Sequence, residues 1–176
     1  YMAYLILRIA TFIRLDAPRV APDTYDYKEI SFLPLFSAQF WTSQRPPLYP
    51  LLIKLFRQNF EILPIFQFLL SVAAWGILAY ALAHLLKNIW LRLFAFFFVL
   101  LFSTSILVVP WDAVIMTESL NFSFFAVILA LWFLQIHDKG WKFLIPLMIV
   151  SFLWTFLRET NGWLISITGG AVILFG

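Results

Sequence analysis

Nine acidic and twelve basic side chains carry all the formal charge of this 176-residue chain, so the position of each is informative. The densest acidic patch is Pro22-Asp23-Thr24-Tyr25-Asp26-Tyr27-Lys28-Glu29. On a helix beginning there, Asp23 and Tyr27 stand four apart and share a face, with Asp26 about one turn from Asp23. A carboxylate so placed can act as general base toward a hydroxyl or hold a divalent cation. It can equally be the N-cap of that helix, accepting from backbone amides. A second acidic group, Glu118, lies in Met116-Thr117-Glu118-Ser119-Leu120, where a loop enters an apolar run. Ionisable groups at a bilayer boundary are expensive to bury and commonly line a cavity or pathway. Asp112 precedes Glu118 by six residues, which on one continuous helix places the two on different faces, so Glu118 is the favoured site residue. Among the cations, Arg158 in Arg158-Glu159-Thr160-Asn161-Gly162 can grip a phosphate with its fork, snorkel to headgroups, or pair with Glu159. His84 and His137 read as interfacial, and no metal-ligand spacing is present.

The elements that must position these groups follow from composition. The chain is 63% hydrophobic and 12% charged, with 21 Phe and 8 Trp, which leaves too little polar material to cover a water-soluble core. With no cysteine, disulfides and Cys-ligated metal sites are excluded. The basic residues form no stripe that would follow a nucleic-acid backbone, so nucleic acid is not an expected partner.

A bilayer core takes about 20 apolar residues per helix. Intervals free of Asp, Glu, Lys and Arg run over Ile62 to Leu86, Leu93 to Trp111 and Ser119 to Ile136. A fourth, Phe143 to Leu157, extends over Trp141 and Lys142, whose side chains suit an interface. Tyr1 to Leu15, interrupted by Arg8 and Arg14, and Trp163 to Phe175 read as truncated spans. The expected fold class is therefore all-α: a multi-span transmembrane helical bundle of about five to six spans, with interfacial helices in the first outer loop. The chain reads as one transmembrane domain over 1–176 and as a fragment of a longer protein. Lys87 with Arg92, and Lys139 with Lys142, mark cytoplasmic connections, whereas Val109 to Glu118 has no basic residue and should face outward. On this scheme residues 16–61 form an outer loop despite their basic residues, which a lipid phosphate would explain. Within the loop, Leu48 to Phe60 has an apolar stripe of Leu48, Leu51, Leu52, Leu55 and Phe56 opposite Lys54, Arg57 and Gln58, the pattern of an interfacial helix. Arg45-Pro46-Pro47 ahead of it cannot be mid-helix. Asn121-Phe122-Ser123 falls inside a span and is a chance glycosylation match.

An acidic motif in the first outer loop, a surface helix after Pro-Pro, and an acid at the second outer loop together resemble the GT-C class of integral membrane glycosyltransferases. The likeness is closest to the branch of protein O-mannosyltransferases and lipid A aminoarabinose transferases. It rests on Pro22, Asp23, Tyr27 and Ile30, on Arg45, Pro46, Pro47 and Leu48, on Glu118, Ser119 and Leu120, and on Arg158 after an apolar run. The resemblance implies sugar transfer from a polyprenyl-phosphate donor to a lipid, glycan or protein acceptor hydroxyl at the extracytoplasmic face. It also implies that this chain is the N-terminal part of a longer catalytic domain. By the same resemblance Asp23 would be the general base, Glu118 a second acid placing the acceptor or a metal, and Arg45 and Arg158 would meet the lipid phosphate, with Tyr27 beside them. Many relatives carry adjacent acids in the first loop, whereas Thr24 follows Asp23 here, so the base is open between Asp23 and Asp26. The sequence requires no cofactor and leaves metal dependence open. The competing classes are a membrane transporter and a lipid-binding scaffold without chemistry. Apart from Arg8 and Arg14, the charges sit at span ends, which favours chemistry at a surface.

Overall fold

The computed structural model describes residues 1–138 and 141–165, and every regular element in them is a helix. The expected all-α class is found. The longest helices are α5 (Ile62–Leu85) and α8 (Thr117–His137), with 24 and 21 residues. At about 1.5 Å per residue both exceed the ~30 Å of a hydrocarbon core, and both are apolar enough to cross a membrane. Two shorter apolar helices of 15 residues, α6 (Ile89–Ser103) and α9 (Trp141–Thr155), flank them, α6 against α5 and α9 against α8. The first helix, α1 (Met2–Arg14), lies against α5 and α7 (Val109–Asp112). Residues 16–61 hold three short helices, α2 (Thr24–Phe32), α3 (Ala38–Trp41) and α4 (Leu48–Leu55).

The α5–α8 contact is the centre of the core. Ala74, Ala79 and Ala81 of α5 and Ala126 and Ala130 of α8 have no exposed surface, and such small side chains let backbones approach closely. The two helices run in the same direction. Gln67, in the second turn of α5, donates to the carbonyl of Val114 just ahead of α8, while His84 and His137 at the opposite ends lie 4.5 Å apart between ring centroids. The 16–61 segment, the 104–116 connection and the turn after α9 therefore gather at one end of the bundle, through Arg19 to Ala113, Thr24 to Ile115 and Leu48 to Phe156.

Two expected elements are shorter than their apolar runs. The run from Leu93 to Trp111 is not one helix: α6 stops at Ser103, and turns lead to α7. Ser103 and Thr104 turn their hydroxyls back onto the carbonyls of Leu100 and Leu101. The carbonyl of Ser103 is taken by Arg8, and Pro110 has no N–H with which to continue a ladder. The helix expected over Leu48 to Phe60 ends at Leu55, because Arg57 and Gln58 adopt φ values of 53° and 54°. By contrast α9 begins at Trp141, as the interface extension anticipates. Of the run from Trp163 to Phe175, residues beyond 165 lie outside the described part, as does Lys139.

Candidate functional site

Behind the site is a buried polar frame. Arg8 of α1 has no exposed surface; its guanidinium donates to Asp112 at 2.6 Å, to the Ser71 hydroxyl at 2.8 Å and to the Ser103 carbonyl at 2.7 Å. The other carboxylate oxygen of Asp112 accepts from Ser119 in the first turn of α8 at 2.6 Å. Gln67 carries the frame onward, donating to main-chain carbonyls at 112 and 114 and accepting from the Tyr49 hydroxyl of α4 at 2.6 Å. Asp112 and Glu118 thus sit on separate helices, and Asp112 is joined to Glu118's neighbour rather than to Glu118.

This frame fixes three supports for one polar cavity. The first is α2, whose start is pinned by the Thr24 hydroxyl donating to the Ile115 carbonyl at 2.8 Å. Asp23 occupies the N-cap position but makes no capping bond, so the capping reading of this residue is not what the structure has. The second is the N-terminus of α8, carrying Thr117 and Glu118. The third is the segment after α9, a turn through Arg158 that leads into the helical residues 159–165. There Asn161 donates to Asn121 of α8 at 2.8 Å and to the Trp154 carbonyl at 2.9 Å, and the amide of Asn161 bonds to the Arg158 carbonyl. Asn121 also accepts from the Trp154 indole, which accounts for it as a packing residue inside α8.

The cavity these supports enclose has a volume of about 130 Å³ and is lined by Asp23, Tyr27, Arg45, Pro46, Thr117, Glu118, Arg158, Glu159 and Thr160. Five of the residues singled out in the sequence, Asp23, Tyr27, Arg45, Glu118 and Arg158, are brought together here from segments up to 135 positions apart (158 − 23). Arg45 pairs with Asp23 at 3.0 Å, and Arg158 with Glu118 at 3.3 Å. Asp26 is placed differently. It faces a second, outer depression with Glu29, Ser43 and Gln44, and accepts from Arg45 through both Nε and Nη2, at 3.1 and 2.8 Å. Arg158 meets Glu118 across the cavity and is half-exposed. The second carboxylate oxygen of Glu118 is buried with no hydrogen-bond partner among the described residues. A buried acceptor in that condition bears a desolvation cost that a donor entering the cavity would relieve.

Tyr27 forms the floor. It is 4% exposed, stacks edge-on against Tyr49 at 5.0 Å and lies under the Arg45 guanidinium at 5.6 Å. Burial raises its phenol above the ordinary value, against the opposing pull of Thr117 and Arg45, so the hydroxyl remains a proton donor at neutral pH. Burial does the same more strongly for Tyr49. The Asp26 hydrogen bond raises Arg45 and keeps it charged.

Beside the polar cavity runs an apolar groove of about 620 Å³. Leu48, Leu51, Leu52 and Leu55, the apolar stripe of α4, form one wall, and Phe66, Leu70, Leu120 and Phe124 of α5 and α8 form the other. The end of α4 is tied down by Lys54, which also lines the groove, and by Gln58 just beyond the helix, both donating to the Ser31 carbonyl. Pro46 lines the cavity and Leu48 the groove, so one turn of chain joins them. Sequence reasoning missed Arg8 and Asp112 as partners, and it missed Thr117, Glu159 and Thr160 as lining residues. Charge within an apolar run was the available signal for Arg8. The chain matches no family model, no curated protein and no solved structure.

Proposed function

We propose that this chain carries the site of an integral, multi-pass membrane glycosyltransferase of the GT-C kind, moving a sugar from a polyprenyl-phosphate donor to an acceptor hydroxyl at the extracytoplasmic face. The observation that carries this reading is the convergence of Asp23, Tyr27, Glu118, Arg45 and Arg158 on one polar cavity beside an apolar groove. A lipid-linked sugar phosphate needs both surfaces together. The groove takes the isoprenoid chain, and the cavity takes the phosphate and sugar. Exposed Leu, Ile and Phe on α5, α6 and α9 support a lipid surround, since so much apolar surface is not kept in water. Five to six spans follow if α1, α6, α9 and the run beginning at Trp163 cross with α5 and α8.

In this reading Asp23 accepts the proton of the acceptor hydroxyl as its oxygen forms a bond to the anomeric carbon. The anomeric C–O bond breaks on the opposite side, and its electron pair leaves with the polyprenyl phosphate. Arg158 and Arg45 stabilise the charge that develops on the departing phosphate. Glu118 accepts from the acceptor or sugar through its unpartnered oxygen, and the Tyr27 hydroxyl donates to the incoming groups. Attack opposite the leaving group inverts the anomeric centre.

The test is transfer of radiolabelled sugar from a panel of polyprenyl-phosphate sugars by membranes containing the full-length protein. Asp23→Asn is expected to lower turnover by roughly 10²- to 10⁴-fold while the protein remains folded and inserted. Normal turnover in that variant would remove Asp23 from the mechanism. Transfer from none of the donors would move the assignment to a transporter or a lipid-binding scaffold.

A further inference from the structure

We propose that the Arg45–Asp23 and Arg158–Glu118 pairs form a latch that the donor phosphate opens by exchange, so that the acidic groups become available only after the donor is seated. The inference rests on the glycosyltransferase reading and adds to it an order of events, donor before acceptor.

Each arginine that lines the cavity is paired with a carboxylate that lines it too. In this state both arginines are held in ion pairs, while Glu159, which also lines the cavity, belongs to none of them. Both pairs are partly open to solvent, with side-chain exposures of 31% and 43% for Arg45 and Asp23 and of 41% and 14% for Arg158 and Glu118. The Arg8–Asp112 pair is sealed by comparison, at 0% and 1%. Partly solvated pairs are weakly held, and a phosphate offers a guanidinium the two parallel acceptors that a bidentate contact needs. The exchange is therefore favourable at the cavity and not at the frame.

Asp26 makes the exchange directional. It holds Arg45 from outside the cavity by two hydrogen bonds, so the guanidinium keeps its position when Asp23 lets go. Asp23 has no capping bond to fall back on. Once displaced, its oxygens have their lone pairs free for the proton of an acceptor hydroxyl. Asp26 is on this account a positioning residue for Arg45, not a group that touches substrate. Glu118, released from Arg158, adds a second free oxygen to the one already without a partner.

The experiment measures binding of a non-reacting polyprenyl monophosphate to the full-length protein in lipid nanodiscs, with the matching polyprenol as the phosphate-free control. Asp23→Asn and Glu118→Gln keep shape and remove the competing charge. Each is expected to bind the monophosphate roughly two- to five-fold more tightly than the native protein, and Asp26→Asn to bind it more weakly. Unchanged or weaker binding in both Asp23→Asn and Glu118→Gln, with thermal unfolding like that of the native protein, would overturn the latch and leave the enzyme reading standing. If both variants unfold early, Arg45→Lys decides. It keeps the charge but loses the fork, so weaker monophosphate binding supports exchange at Arg45 and unchanged binding overturns it. Native protein that binds the monophosphate no better than the polyprenol would overturn the enzyme reading and the latch together.

Discussion

Arg158 shows how much a single side chain can decide. In the sequence it is one of several cations at the end of an apolar run, a position where long basic side chains reach for headgroups. In the fold its guanidinium is 3.3 Å from Glu118 on the wall of the polar cavity, on a turn that Asn161 clamps to α8 and α9. Arg158→Ala should weaken donor affinity by roughly tenfold or more, the worth of a charge-assisted hydrogen bond, and Arg158→Lys should recover only part of it because the fork is lost. Donor affinity unchanged in Arg158→Ala would mean that the side chain serves the membrane surface alone. Tyr27→Phe keeps the ring against Tyr49 and removes only the hydroxyl. Turnover is expected to fall with thermal stability little changed, and a variant that loses stability in proportion would make Tyr27 a packing residue. The site residues stood out in the sequence because a charge or a Tyr after a Pro-Asp is conspicuous against an apolar background. Which of Asp23 and Asp26 faces the cavity was not legible, since it depends on where Arg45 sits, 19 positions beyond Asp26.

Among the elements, α1, α7 and α8 depend on one buried contact. Removing one partner of a buried ion pair typically costs about 3–5 kcal/mol, because the remaining charge is left uncompensated. Arg8→Leu and Asp112→Leu should each lower thermal stability sharply in detergent or nanodiscs, and the double variant should recover much of the loss. Single and double variants that lose stability additively would show that the pair does not act as a unit. The α5–α8 contact makes a separate demand: Ala126→Leu inserts bulk where no surface is free, with an expected cost of about 1–3 kcal/mol. Helix type and the main apolar runs were legible from spacing between charges. The break at Ser103 was not, because nothing in an apolar run tells that its carbonyl will be taken by Arg8 from another helix. Nor was the end of α4, since Arg57 and Gln58 are not residues that announce left-handed backbone.

For the whole molecule, the gathering of residues 16–61, the 104–116 connection and the turn at Arg158 at one end makes sidedness testable. These 176 residues contain no cysteine, so a cysteine introduced among them, in the 176-residue chain, reports on its own position. Thr42→Cys, at an exposed position on the site end, should react with a membrane-impermeant maleimide added from outside. Lys87→Cys, exposed at the far end, should react only after the membrane is opened. The reverse pattern would put the site on the cytoplasmic side and exclude an extracytoplasmic transferase.

The bond between Arg8 and Asp112 joins residues 104 positions apart, and this separation has a consequence for biogenesis. In the proposed membrane reading, α1 enters the insertion machinery long before its counter-charge at Asp112 has been made, and a lone arginine in lipid is costly. The first helix should therefore linger at the insertion machinery, unreleased, until α7 emerges. A nascent chain halted at Ser103 would crosslink to that machinery through α1, whereas one long enough for α7 to have left the ribosome would have let go.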